Sequence, residues 1–109
     1  MAVSKKTEFG PLENELAELA KALGHPARIA ILQELARRNV CICGEIVEVL
    51  PLAQSTVSQH LKELLEVGLI KGSVNGVKSC YCINWETLER LQALFGSFLS
   101  KPAPATNCC

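Results

Sequence analysis

The apolar period of the chain changes at Leu69, and that change restricts the fold more than any other feature. Upstream, apolar residues recur every three or four positions, the spacing of amphipathic helices. From Leu69 the period drops to two. Residues 69–74 and 77–84 read as strands joined by Asn75-Gly76. Asn-Gly between alternating runs marks a type I′ hairpin, because both turn residues adopt positive φ. The helical period returns over about 85–99, through Leu88, Leu91, Phe95 and Phe98. In 109 residues this pattern predicts one domain, mainly α with a small β-hairpin.

The upstream helices have readable ends. Residues 1–11 form a flexible N-terminal arm ending at Gly10-Pro11. Leu12, Leu16, Leu19 and Leu23 mark a helix over 12–23, which Gly24 closes. Pro26 suits the first turn of the next helix, about 26–38. Ile29, Ile31, Leu32 and Leu35 make it apolar on more than one side, as expected of a central core helix. Arg37 and Arg38 fall at its C-terminal end, where cations suit the helix dipole. A short helix is expected over about 43–50, with Ile46, Val47 and Leu50 inward and Pro51 as its stop. The next, about 54–67, buries Val57, Leu61, Leu64 and Leu65 and ends at Gly68. The domain proper spans 12–99, and 100–109 form a tail with vicinal Cys108 and Cys109.

Two short helices with a tight turn, followed by a hairpin, describe a winged helix-turn-helix. The second helix of such a unit enters the DNA major groove. Its free face should then carry hydrogen-bonding side chains. Gln54, Ser55, Thr56, Ser58, Gln59, His60 and Lys62 are the candidates here, with Lys71 and Lys78 of the wing for phosphates. A plain solvated face is the bland alternative for one helix alone; the neighbouring helix and the wing favour double-stranded operator DNA. His60 has a structural hydrogen bond as its competing role, and His25 is expected to cap or pack.

Eleven basic and eleven acidic residues leave no net charge, which excludes a general basic coat but not a local basic face. One recognition helix per chain calls for a dimer on two half-sites. The stripes on 12–23 and 85–99 are the candidate dimer interface. No apolar run approaches the ~18 residues of a membrane span, and residues 1–10 lack the apolar core of an export signal. A cytoplasmic protein without membrane contact is expected. No catalytic constellation appears, so neither an enzyme nor a required cofactor is expected.

Six cysteines fall in three close pairs: Cys41 and Cys43, Cys80 and Cys82, Cys108 and Cys109. Bonds within such pairs close very small loops and stabilise little. Reduced thiols that meet a soft metal or an oxidant are therefore expected. With an Asn75-Gly76 turn, Cys80 opposes Lys71 and Cys82 opposes Leu69; this pair is expected to pack as small apolar residues under the wing.

Residues 41–70 resemble the heart of the ArsR/SmtB family of arsenical- and metal-responsive repressors. The segment Ser-Thr-Val-Ser-Gln-His-Leu (55–61) is the most specific part. Leu-Gly-His-Pro-Ala-Arg-Ile-Ala-Ile-Leu (23–32) is similar too, and the resemblance spans roughly 12–99. It implies a homodimeric repressor that leaves its operator when an inducer binds. Cys41 and Cys43 match the Cys-x-Cys of arsenic-sensing members. The family's third cysteine falls on Ile46, and Gly44 replaces a common acidic residue. The family's other site, an Asp, His and Glu set on the last helix, is represented only by Glu86 and Glu89.

Thiolates select soft centres, and trivalent arsenic or antimony prefers three sulfurs in a pyramid. As(III) or Sb(III) is thus the expected inducer, with another thiophilic metal ion as the alternative. Helical residues two apart point about 200° apart, so binding at Cys41 and Cys43 is expected to unwind the start of the 43–50 helix. Cys108 and Cys109 are further candidate ligands, supplied by the tail. Two other readings stay open. One is a thiol redox or sulfur-responsive repressor, with Cys108 or Cys109 as partner thiols. The other is a thiophilic metal-handling protein without DNA binding.

Overall fold

A computed structural model describes residues 8–38, 41–43, 50–75 and 78–100. In chain order the elements are α1 (Pro11–Ala22), α2 (Pro26–Arg38), β1 (Ile42–Cys43), α3 (Gln54–Glu66), β2 (Ile70–Asn75), β3 (Lys78–Ile83) and α4 (Trp85–Leu99). The four longer helices lie where periodicity and Pro or Gly punctuation place them. The expected helix over 43–50 differs at its start. Cys43 belongs to a short strand, because Ile42 and Cys43 pair with Tyr81 and Cys80 of β3. Residues 44–49 lie outside the described residues.

The sheet is antiparallel, in the order β1-β3-β2. Its hairpin register is shifted by two residues from the expected one. Asn75 sits inside the ladder opposite Lys78, so Asn75-Gly76 is not the two-residue connection. Cys82 therefore opposes Lys71, and Cys80 opposes Ser73. The core sets this register: Ile70 and Ile83 face each other across it, and both are buried. A shift of two preserves the face of every side chain. Gly72 is needed for close approach, since a Cβ there would come within 3.0 Å of the Tyr81 ring and of Leu65.

Ile31 and Leu35 of α2, Val57 and Leu64 of α3, and Leu69 and Ile70 are the most deeply buried large side chains. They hold α3 and the β2–β3 hairpin on one core. Ile29, expected inside, is 38% exposed. The α2 core stripe runs instead through Ala27, Ile31, Leu32 and Leu35, the i, i+4, i+5, i+8 face of a helix.

Helix α3 ends in a Schellman motif. The Leu69 amide donates to the Leu64 carbonyl and the Gly68 amide to that of Leu65, both at 3.0 Å. Gly68 takes φ +80° there. A Cβ would find room, its nearest neighbour being Thr87 Oγ1 at 3.7 Å. The cost of substitution is thus backbone strain alone. Gly68→Ala is expected to lower stability by about 1–2 kcal/mol, read from urea unfolding midpoints.

Helices α1 and α4 pack together through buried Leu19 and Leu91. Arg90 donates to both carboxylate oxygens of Glu15, at 2.8 and 3.0 Å. The outer ends of both apolar stripes stay uncovered: Leu12, Phe98 and Leu99 are 57%, 65% and 69% exposed. Among the described residues, no helix is long and apolar enough to cross a membrane.

Candidate functional site

Helix α3 divides into two faces. Val57, His60, Leu61 and Leu64 are buried, an i, i+3, i+4, i+7 stripe. Gln54, Ser55, Thr56, Ser58, Gln59 and Lys62 are exposed. These side chains therefore share a hydrogen-bonding surface with no acidic group among them. Lys71 is exposed on β2. Lys78 opens β3, and its side chain lies outside the described residues.

His60 departs from the expected DNA face. It is only 8% exposed and accepts a hydrogen bond at Nδ1 from Arg28 Nε at 3.1 Å. Its place on the core stripe turns it inward. His25 stacks against it, with ring centroids 4.3 Å apart. The Ala27 amide donates to His25 Nδ1 at 3.0 Å, so His25 caps α2 as expected. Arg28 ties these parts together. Nη1 donates to the Ala22 carbonyl at 3.2 Å, and Nη2 lies 2.9 Å from Glu63 Oε2. One guanidinium thus joins the end of α1, the start of α2 and the recognition helix.

Burial, and then the His25 and Arg28 charges, hold the His60 imidazole below its ordinary pKa of 6.5, against the opposing pull of Glu63. The unfolded chain therefore takes up this proton at higher pH than the folded chain does. The His60 contribution to stability is full above about pH 6.5 and is lost as the pH falls through the lower folded value. Melting temperatures measured from about pH 8 down to about pH 5 should show this loss, and His60→Gln should flatten it.

The cysteines differ most from expectation. Cys41 and Cys82 form a disulfide with their Cα atoms 4.4 Å apart. That spacing is typical of directly opposed residues at a non-hydrogen-bonded rung. Cys80 is also disulfide-bonded, and its backbone partner across the ladder is Cys43. Cys82 is thus no inert packing residue, and Cys41 is no free thiol. The start of the expected chelate is already extended at Ile42 and Cys43, so no helix need unwind there. Among the described residues, no group of three or more His, Cys, Asp or Glu is arranged to hold a metal ion. The Cys43 side chain, Cys108 and Cys109 lie outside the described residues.

Known proteins share this architecture. A helix-turn-helix domain model matches residues 23–72. The transcriptional repressor PagR of Bacillus anthracis is 38% identical over 87 residues, covering 80% of this chain and 86% of that protein. The arsenical resistance operon repressor of Bacillus subtilis is 38% identical over 90 residues, covering 82% and 85%. Among solved structures, the homodimeric winged helix-turn-helix DNA-binding domain from Mycobacterium bovis superposes with a TM-score of 0.64. It is 27% identical, and the match covers 91% of this chain and 88% of that one.

Fold and relatives together define a DNA-binding transcriptional repressor of the winged helix-turn-helix class. The chain belongs to the ArsR/SmtB family. That family is regulatory, not enzymatic. A metal-handling protein without DNA binding does not fit this membership.

Proposed function

We propose that this repressor leaves its operator when arsenite or antimonite binds to thiols that include Cys41 and Cys43. The observation that carries this reading is the position of Cys41. It is exposed, within bonding distance of a second sulfur, and next to the strand that leads toward the recognition helix. Arsenical resistance operon repressors among the relatives support the choice of inducer. No further cofactor is required. Gln54, Ser55, Thr56, Ser58, Gln59 and Lys62 contact the operator, with Lys71 and Lys78 on phosphates. The repressor acts in the cytoplasm as a homodimer through α1 and α4. The uncovered Leu12, Phe98 and Leu99 support that interface, as does the homodimeric structural neighbour.

The Cys41–Cys82 bond favours one second reading, a redox-responsive repressor of the same fold. A reporter gene under the chain's own operator, repressed in a heterologous host, separates the two. Derepression by arsenite or antimonite, with little effect of mild oxidant, is the expected result. Derepression by oxidant alone would replace the metalloid with redox sensing. A reporter never repressed would overturn both.

A further inference from the structure

A trivalent metalloid held by Cys41 and Cys43 alone lacks its third sulfur. The sequence offers two sources, the C-terminal tail and the wing. The wing cysteines stand beside Cys41 and Cys43. Cys82 is bonded to Cys41, and Cys80 stands opposite Cys43 two residues along the same ladder. Four cysteines thus occupy alternate rungs of one pair of strands. On strands, residues two apart share a face, and directly opposed side chains are nearest neighbours. Cys41 is exposed and Cys82 partly so, which leaves this pair open to a small solute. Lys71 opposes Cys82 from the far side, so Cys41, Cys82 and Lys71 form one row across the three strands.

From this we infer that the inducer site spans β1 and the wing: Cys82 supplies the third sulfur to the trivalent metalloid that Cys41 and Cys43 bind. This rests on the inducible-repressor reading and replaces the tail as the source of the missing ligand. Metalloid binding itself is a condensation without electron transfer, and it follows reduction of the disulfides. A small-molecule thiol first opens each disulfide by exchange. Two equivalents leave as their own disulfide, and the two protein sulfurs take up the protons. Arsenous acid, As(OH)3, then reacts with three thiols. Three As–S bonds replace three As–O bonds, and three waters leave. The bound metalloid pins the wing to the strand that leads toward the recognition helix. It does so beside Lys71, a wing cation of the DNA face. Sulfurs joined as disulfides cannot bind it, so the reduced chain is the responsive one.

The test uses the reduced chain with arsenite as the probe. Equilibrium dialysis with arsenic analysis reads binding, and fluorescence anisotropy on operator DNA reads release. Cys82→Ser is expected to weaken arsenite binding at least about tenfold, the scale of loss when a metal's surroundings are disrupted. The double variant Cys108→Ser/Cys109→Ser should bind as wild type does. Mass mapping of alkylated wild-type protein adds a readout that needs no variant: arsenite should protect Cys41 and Cys82 and leave Cys108 and Cys109 reactive. Protection of Cys108 and Cys109 instead, with Cys82→Ser binding normally, would overturn the two-strand site and leave the inducible repressor standing. Tight binding at Cys41 and Cys82 without DNA release would uphold the site and overturn the inducer role. No binding to the wild type would overturn both.

Discussion

Replacing Ser58 and Gln59 together by Ala should weaken specific operator binding by about 2–6 kcal/mol, at about 1–3 kcal/mol for each side chain that reads a base edge. Both side chains are exposed on the free face of α3. The core stripe Val57, Leu61 and Leu64 stays untouched, and Ala is the best helix former. Folding should therefore survive. Phosphate contacts carry no sequence information, so binding to unrelated DNA should change little. Anisotropy titrations of operator and random duplexes at one salt concentration read the difference. An equal weakening on both would mean that α3 serves the backbone and that another element reads the bases.

Cys41→Ser should have two effects, one on stability and one on signalling. The Cys41–Cys82 bond closes a loop of 41 residues. In the chain-entropy picture, closing such a loop restricts the unfolded state by about 4 kcal/mol. Without reductant, Cys41→Ser should therefore be less stable than wild type, by less than that amount because the disulfide at Cys80 remains, and with reductant the gap should close. Urea unfolding under both conditions reads it. In reduced protein, Cys41→Ser and Cys43→Ser should each keep operator binding and lose the response to arsenite. Release of DNA by either variant at the wild-type arsenite concentration would place the inducer site elsewhere.

The parts of this molecule set by local chemistry were readable in its sequence. Helix α2 begins at Pro26 and α3 stops at Gly68, because proline fits a first turn and glycine a left-handed cap. The polar face of α3 follows from its spacing. The same spacing places His60 with Val57, Leu61 and Leu64, so its burial was also available to a strict helical projection. Its chemical type suggested DNA instead. Arg28 had no such marker. Its role depends on reaching Glu63 and His60 on another helix.

The hairpin register was less accessible. Asn75-Gly76 is a strong local turn pattern, yet burial of both Ile70 and Ile83 moves the pairing by two. The thiol site was hidden most deeply. Each close cysteine pair is visible alone, but the bond runs between two of them. It depends on β1 lying beside β3, a long-range pairing that local periodicity does not encode. Once that pairing is known, Cys82 becomes the natural partner of Cys41.

The most direct test of inducible repression is fluorescence anisotropy of the reduced chain on DNA from its own upstream region, titrated with arsenite. Specific binding at the start, followed by release as arsenite fills the thiols, is the predicted result. Tight specific binding that arsenite leaves unchanged would contradict it.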